Sequence, residues 1–234
     1  MENRPKNEEA PEISAALASH RRPAEDRQKD GVRRLAALLA FYQVEPGQHV
    51  ADLMASRGYL TGALAEIVGD SGMIYAQNSP RLLARFKGGS PIQTRIAASG
   101  LTNVRDLVCE LEELPIASAS LDAVFSFMFY HDTVWVGTDR AAMNAAIFRS
   151  LKPGGVFAVV DHHAPAGAGV TMANSHHRIE RSVVVNEVTA AGFWLAEESR
   201  LLENPADSLD VLVFDKSVRD RTHKFALKFR RPVP

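Results

Sequence analysis

Short apolar runs alternate along the chain with stretches of helical periodicity, and this alternation organises the first reading. His49–Leu53, Met73–Gln77, Val104–Val108, Leu121–Met128 and Val156–Asp161 are runs of strand length that carry few polar residues. Between them, Tyr59–Val68, Pro80–Phe86 and Asp139–Leu151 repeat their apolar residues at helical spacing. Arg22-Pro23-Ala24-Glu25-Asp26 reads as a helix start, with proline and acids in the first turn. Val32, Leu35, Leu38, Leu39 and Tyr42 continue that helix as far as Pro46-Gly47. The stretch from Phe86 to Gly100 looks less regular, and Lys152-Pro153-Gly154-Gly155 reads as a break. Toward the C-terminus a helix is expected over Ser182–Ala191, and strands over Phe193–Ser199 and Lys224–Phe229.

Strands that are apolar on both faces and alternate with helices predict a mostly parallel α/β sheet, doubly wound by right-handed crossovers. Seven strands and an N-terminal helical extension are expected. Residues 1–20 are polar and carry Pro5 and Pro11, so a flexible tail is expected there, ahead of a single domain over 21–234.

Charge and composition narrow the function class. The 27 basic residues nearly balance the 28 acidic ones, which removes any general field for nucleic acid or an anionic membrane surface. No stretch approaches the roughly 20 apolar residues of a membrane span. Met1–Glu12 is charged and lacks the apolar run of a signal peptide, so a cytoplasmic protein is expected. The single cysteine, Cys109, follows Leu107 and Val108 and reads as a small strand residue rather than a nucleophile. Oligomeric state is not legible.

In an open parallel sheet, ligands sit beyond the carboxyl ends of the strands. The segments there are Asp52–Gly58, Asn78, Glu110–Pro115, Phe129–Asp132 and Asp161–His163. Five of the eight histidines lie in or near two such places: His131, His162 and His163, with His176 and His177 in the following loop. Imidazole titrates near neutral pH, which makes His131 a candidate general base. Tyr130, His131 and Asp132 are the catalytic candidates, and Asp161, His162, His177 and Arg178 the substrate-binding ones. Arg178 suits a carboxylate or phosphate; its alternatives are a solvated loop or pairing with Glu180 or Glu187. Asp132, Asp161 and His162 converge if the fourth and fifth strands are neighbours. No compact metal-ligand spacing is present, however, and no metal is assigned.

The order of Gly58, Leu114-Pro115, Leu121-Asp122-Ala123-Val124 and Leu151-Lys152-Pro153-Gly154-Gly155 resembles class I S-adenosylmethionine-dependent methyltransferases. Tyr130-His131-Asp132, Val160-Asp161-His162-His163, His177-Arg178-Ile179, Ala191-Gly192-Phe193 and Asn204-Pro205-Ala206-Asp207 more narrowly resemble a group of predicted bacterial methyltransferases. The resemblance implies S-adenosylmethionine as cofactor and a small-molecule acceptor. It implies that Asp52 meets the amino end of the methionine moiety and that the backbone of Ala55, Ser56 and Gly58 passes under the cofactor. It places Asn78 at the ribose, Glu110 and the backbone of Leu111 at the adenine, and Phe129 beside the transferring methyl. Two departures from the family pattern stand out: Met54 and Ser56 occupy positions where glycines are usual, and Asn78 one where an acid is usual. A degenerate, non-catalytic binding or sensing module on the same fold is therefore the alternative. A nicotinamide-dependent oxidoreductase is disfavoured, because no Gly-x-Gly-x-x-Gly follows the first strand.

Overall fold

A computed structural model describes residues 11–234. The chain divides into two compact units, one ending at Val108 and the other spanning Cys109–Pro234. The sheet has seven strands in the order β3-β2-β1-β4-β5-β7-β6, mostly parallel, as the alternation predicts.

The first unit runs α1 (Pro11–Leu17), α2 (Ala24–Asp30), α3 (Leu35–Tyr42), β1 (His49–Leu53), α4 (Tyr59–Val68), β2 (Met73–Asn78), α5 (Pro80–Leu83), α6 (Pro91–Ser99) and β3 (Val104–Val108). Helix α1 lies within the stretch expected as a tail and buries Ile13 and Leu17, packing against α3 and α4. The rest of that expectation, residues 1–10, lies outside the described residues. The helix expected from Arg22 to Tyr42 is two helices, because Arg34 turns left-handed at φ 48°. Asp30, at the end of α2, accepts from Arg22 Nη2 at 2.9 Å and from the Tyr59 hydroxyl at 2.8 Å, which anchors that end.

Helix α6 falls in the stretch read as irregular, although its boundary chemistry is ordinary. Ser90 caps it by accepting from the Ile92 N–H, Pro91 fills the first turn, and Gly100 ends it left-handed. Only Ile92 is buried along it, so the apolar stripe that marks a helix in a sequence is nearly absent. Helix α4 is the opposite case. Eight of its ten residues are buried, and Gly62, Ala63 and Ala65 give it a narrow surface. β1 pairs with β2 and β2 with β3, all parallel.

The second unit runs β4 (Leu121–Phe127), α7 (Asp132–Val136), α8 (Arg140–Ser150), β5 (Leu151–His162), α9 (Ala173–His176), α10 (Arg181–Ala190), β6 (Trp194–Ser199) and β7 (Lys224–Arg230). β4 and β5 are parallel, while β7 runs antiparallel to both β5 and β6. The Lys152–Gly155 break is a bulge inside β5. Leu121 pairs with Leu151 and Ala123 with Val156, so residues 152–155 all stand opposite Asp122. Lys152 Nζ donates to that carboxylate at 2.7 Å. Beyond the bulge, Val156–Asp161 is wholly buried, as a strand covered on both faces requires. β6 lies at the sheet edge with Trp194 half exposed. No described helix is long and apolar enough to cross a membrane.

Candidate functional site

Each unit carries a polar cluster at the carboxyl ends of parallel strands. In the first unit, Asp52, the last residue but one of β1, is 2% exposed. Its Oδ2 accepts from the Thr61 hydroxyl at 2.6 Å, one turn into α4. Burial pushes the Asp52 carboxyl up to about 7, against the hydrogen bonds from Thr61 and the more distant charge of Arg95.

The following loop keeps the conformation of a glycine-rich turn without the glycines. Met54 and Ser56 have φ of 50° and 52°, in the left-handed region that a side chain disfavours. The end of β2 holds them there. Gln77 Oε1 accepts from the Met54 N–H at 3.0 Å, and the Gln77 carbonyl from the Ala55 N–H at 2.9 Å. Asn78 Oδ1 accepts from the Ser56 N–H at 2.7 Å, and Asn78 Nδ2 donates to the Ser56 carbonyl at 3.2 Å. Asn78 is fully buried, with both ends of its amide engaged by the loop. A carboxylate there would lack the Nδ2 donor. The asparagine that replaces the usual acid therefore matches the side chains that replace the usual glycines.

Gly58, at φ 78°, is a glycine by close approach as well as by backbone angle. A Cβ there would lie 2.7 Å from Arg95 Cδ and 2.8 Å from its Nε. Arg95 Nε donates to the Arg57 carbonyl at 2.6 Å, and its Nη2 pairs with Asp26 at 2.8 Å. Arg95 was not singled out in the sequence. It sits on α6, and with that helix unrecognised nothing placed it against the loop.

In the second unit, β4 leads through Met128, left-handed at φ 59°, into Phe129, Tyr130 and His131, ahead of α7. Asp161, fully buried near the end of the adjacent β5, faces His131. Its Oδ1 lies 2.7 Å from His131 Nδ1, and its Oδ2 accepts from the His131 N–H at 2.8 Å. The His162 N–H donates to Asp161 Oδ1 at 2.7 Å. On the other side of the His131 ring, Nε2 is 3.1 Å from Asp132 Oδ1 and 3.1 Å from His177 Nδ1, and those two atoms are 3.4 Å apart. Trp135 Nε1 donates to Asp132 Oδ1 at 3.0 Å. His177 ends α9 left-handed at φ 56°, and its ring meets those of Trp135 and Phe214. His162 stands edge-on to His131 with its Nδ1 2.8 Å from the Thr222 hydroxyl.

These charges act on one another. Burial alone would lower His131, but Asp161 and Asp132 outweigh it and lift the imidazole to about 10. Burial would raise Asp132, yet its contacts with His131 and His177 hold it below the ordinary carboxylate range. His162 falls well below its usual value, through burial and then the nearby charges of Lys224 and His131. His177 is also lowered, by burial and by His131.

Five of the expected residues thus come together: His131, Asp132, Asp161, His162 and His177. Two do not join them. Tyr130 is fully buried and turned toward α8 and α10, where its hydroxyl donates to Glu187 at 2.9 Å and accepts from Asn144 Nδ2 at 2.9 Å. Arg178 is also fully buried. It donates to the carbonyls of Val211 and His163 and pairs with Asp207 at 3.0 Å, rather than facing a ligand or pairing with Glu180 or Glu187. Glu110 is exposed ahead of a single 3-10 turn over Leu111–Glu113, while Leu111 and Phe129 are buried. Burial, then Glu110 and Glu113, push the Cys109 thiol up to about 11, which keeps it protonated.

Residues 55–159 match the family model for a methyltransferase domain. An uncharacterized methyltransferase of Synechocystis sp. is 30% identical over 123 residues, covering 53% of this chain and 51% of the relative. The chain thus spans about half the length of the curated relative it matches. Among solved structures, an S-adenosylmethionine-dependent methyltransferase from Aquifex aeolicus superimposes with a TM-score of 0.61 at 15% identity, over 86% of this chain and 97% of that one. The putative methyltransferase of Haloferax volcanii, solved with the Trm112 methyltransferase activator, gives 0.64 at 20% identity, over 95% and 98%. At these identities the likeness is one of fold. The expected Rossmann-like methyltransferase fold is present, and the methyltransferase resemblance read from the sequence is met by the domain match.

Proposed function

We propose, from the methyltransferase domain carried by residues 55–159, that this chain transfers the methyl group of S-adenosylmethionine to a small-molecule acceptor. The observation that carries this reading is Asp52. Burial of the Asp52 carboxyl outweighs the hydrogen bonds from Thr61 and the charge of Arg95, and the ammonium of a methionine moiety is of the right sign to offset the rest. The neighbouring loop also fits. Met54 and Ser56 hold the main-chain path of a glycine-rich turn, so the backbone of Ala55, Ser56 and Gly58 is available to pass under a nucleoside.

Bound there, the cofactor supplies an electrophilic methyl on a sulfonium sulfur. Asp52 binds the amino end, and Thr61 orients Asp52 through its hydroxyl. Asn78 supports the site by fixing Ser56 rather than by gripping the ribose. An oxygen or nitrogen acceptor must give up a proton on methylation. The polar group of Asp132 and His177, about a quarter exposed, orients the acceptor and receives that proton, with His131 and Asp161 behind them. Tyr130 and Arg178 act as structural supports.

Calorimetric titration with S-adenosylmethionine and with its demethylated product tests the reading. Saturable binding, weakened at least tenfold by Asp52→Asn, is expected. No heat of binding at millimolar donor would overturn it and favour the non-catalytic module.

A further inference from the structure

The geometry points to a divalent transition-metal site formed by His131 Nε2, Asp132 Oδ1 and His177 Nδ1 in the second unit. This goes beyond the methyl-transfer reading and stands or falls separately from it.

The three atoms form a triangle with edges of 3.1, 3.1 and 3.4 Å. With a metal–ligand bond of about 2.1 Å, two ligands lie ~3.0 Å apart at a right angle and ~3.4 Å apart at the tetrahedral angle. All three edges fall in that range. Each atom has a lone pair that a metal can use, and a hydrogen bond through a proton on one of the imidazole nitrogens is the alternative way to hold the triangle together. A proton on His131 Nε2 is the competing cation.

The surroundings of the three residues favour the metal. Behind His131, Asp161 engages Nδ1 at 2.7 Å, and a carboxylate in that position fixes the tautomer that turns the Nε2 lone pair outward. Asp161 is itself held by the N–H groups of His131 and His162. Trp135 Nε1 orients Asp132 from the side, and the left-handed turn at His177 brings in the third ligand. His131 is buried while Asp132 and His177 are 29% and 25% exposed, so one side of the triangle is reachable from solvent. Two imidazoles and one carboxylate suit zinc, iron, cobalt or manganese better than magnesium or calcium, which prefer all-oxygen sets. Three protein ligands leave coordination positions for a water or an acceptor hydroxyl, whose proton a bound ion would loosen.

The sequence hid this site because its ligands are adjacent at 131 and 132 and then 45 positions away at 177, unlike any compact ligand spacing. Full-length protein stripped with a chelator and titrated with Co2+ tests the assignment, since visible d–d bands report coordination. One equivalent per chain is expected, displaced by Zn2+. His177→Ala should weaken Co2+ at least tenfold with an unchanged circular dichroism spectrum, and Asp161→Asn should weaken it about tenfold or more. His20→Ala, exposed and remote in sequence, should leave it unchanged. Substoichiometric binding, equal affinity in His177→Ala, or displacement of Co2+ by equimolar Mg2+ would each overturn the site. Donor calorimetry on the same metal-free protein separates the two readings. Donor binding without Co2+ binding would sink the metal site alone, and Co2+ binding without donor binding would sink methyl transfer alone.

Discussion

Asp52 links pH, stability and ligand affinity, and Asp52→Asn reads out that link. In the folded chain the carboxyl is buried and titrates at about 7, against an ordinary value of 3.8. Between those values the folded state keeps a proton that the unfolded state has released, so stability falls as pH rises. The interval is about 3 units at ~1.4 kcal/mol each, which gives ~4 kcal/mol lost between pH 4 and pH 7, with a plateau above. The amide oxygen introduced by Asp52→Asn still accepts from Thr61 but carries no charge at any pH. Urea denaturation of both proteins from pH 4 to pH 8 should therefore show the wild type losing ~4 kcal/mol relative to the variant as pH rises. S-adenosylmethionine should oppose that loss, because its ammonium binds the charged carboxylate. Wild-type affinity should climb up to tenfold per pH unit below 7 and then level off, while that of Asp52→Asn stays flat over the same range. Parallel stability curves for the two proteins would refute a carboxyl near the end of β1 whose burial outweighs Thr61 and Arg95.

Three further outcomes follow from the packing. Gly58→Ala should cost roughly 1–3 kcal/mol by thermal or urea denaturation, since the new methyl meets Arg95 and, at 3.0 Å, Ile92 Cδ1; in an Arg95→Ala background the same change should cost less, leaving the left-handed backbone penalty of about 1 kcal/mol and the Ile92 contact. Tyr130→Phe should lower stability by about 1–2 kcal/mol by leaving Asn144 and Glu187 without their shared partner, while turnover per folded molecule and donor affinity stay as in the wild type. Arg178→Met should cost about 3–5 kcal/mol in urea, because it strands the Asp207 carboxylate that the guanidinium pairs in the interior.

The strands and the long helices were legible because their signal is local. Apolar runs such as Val156–Asp161 and the helical spacing of Tyr59–Val68 record burial residue by residue. The ends of the strands were legible for a related reason, since a parallel sheet collects ligand-facing residues there, and His131, Asp132, Asp161 and His177 were all marked by that rule. Two features were beyond it. Helix α6 buries too little to write a period into the sequence, so Arg95 and its contact with Gly58 emerged only from the fold. The direction of each side chain was equally silent. Tyr130 and His131 are neighbours in sequence, yet one hydroxyl turns into the core toward Glu187 and one imidazole turns toward Asp132 and His177. The pairing of Asn78 with Ser56 and the triangle around His131 join residues more than twenty and more than forty positions apart. Sequence alone determines which segments bury themselves and where polar residues gather, because burial and chain direction are properties of short stretches. Which of those residues meet depends on how strands register and loops fold back, and only the tertiary structure decides that.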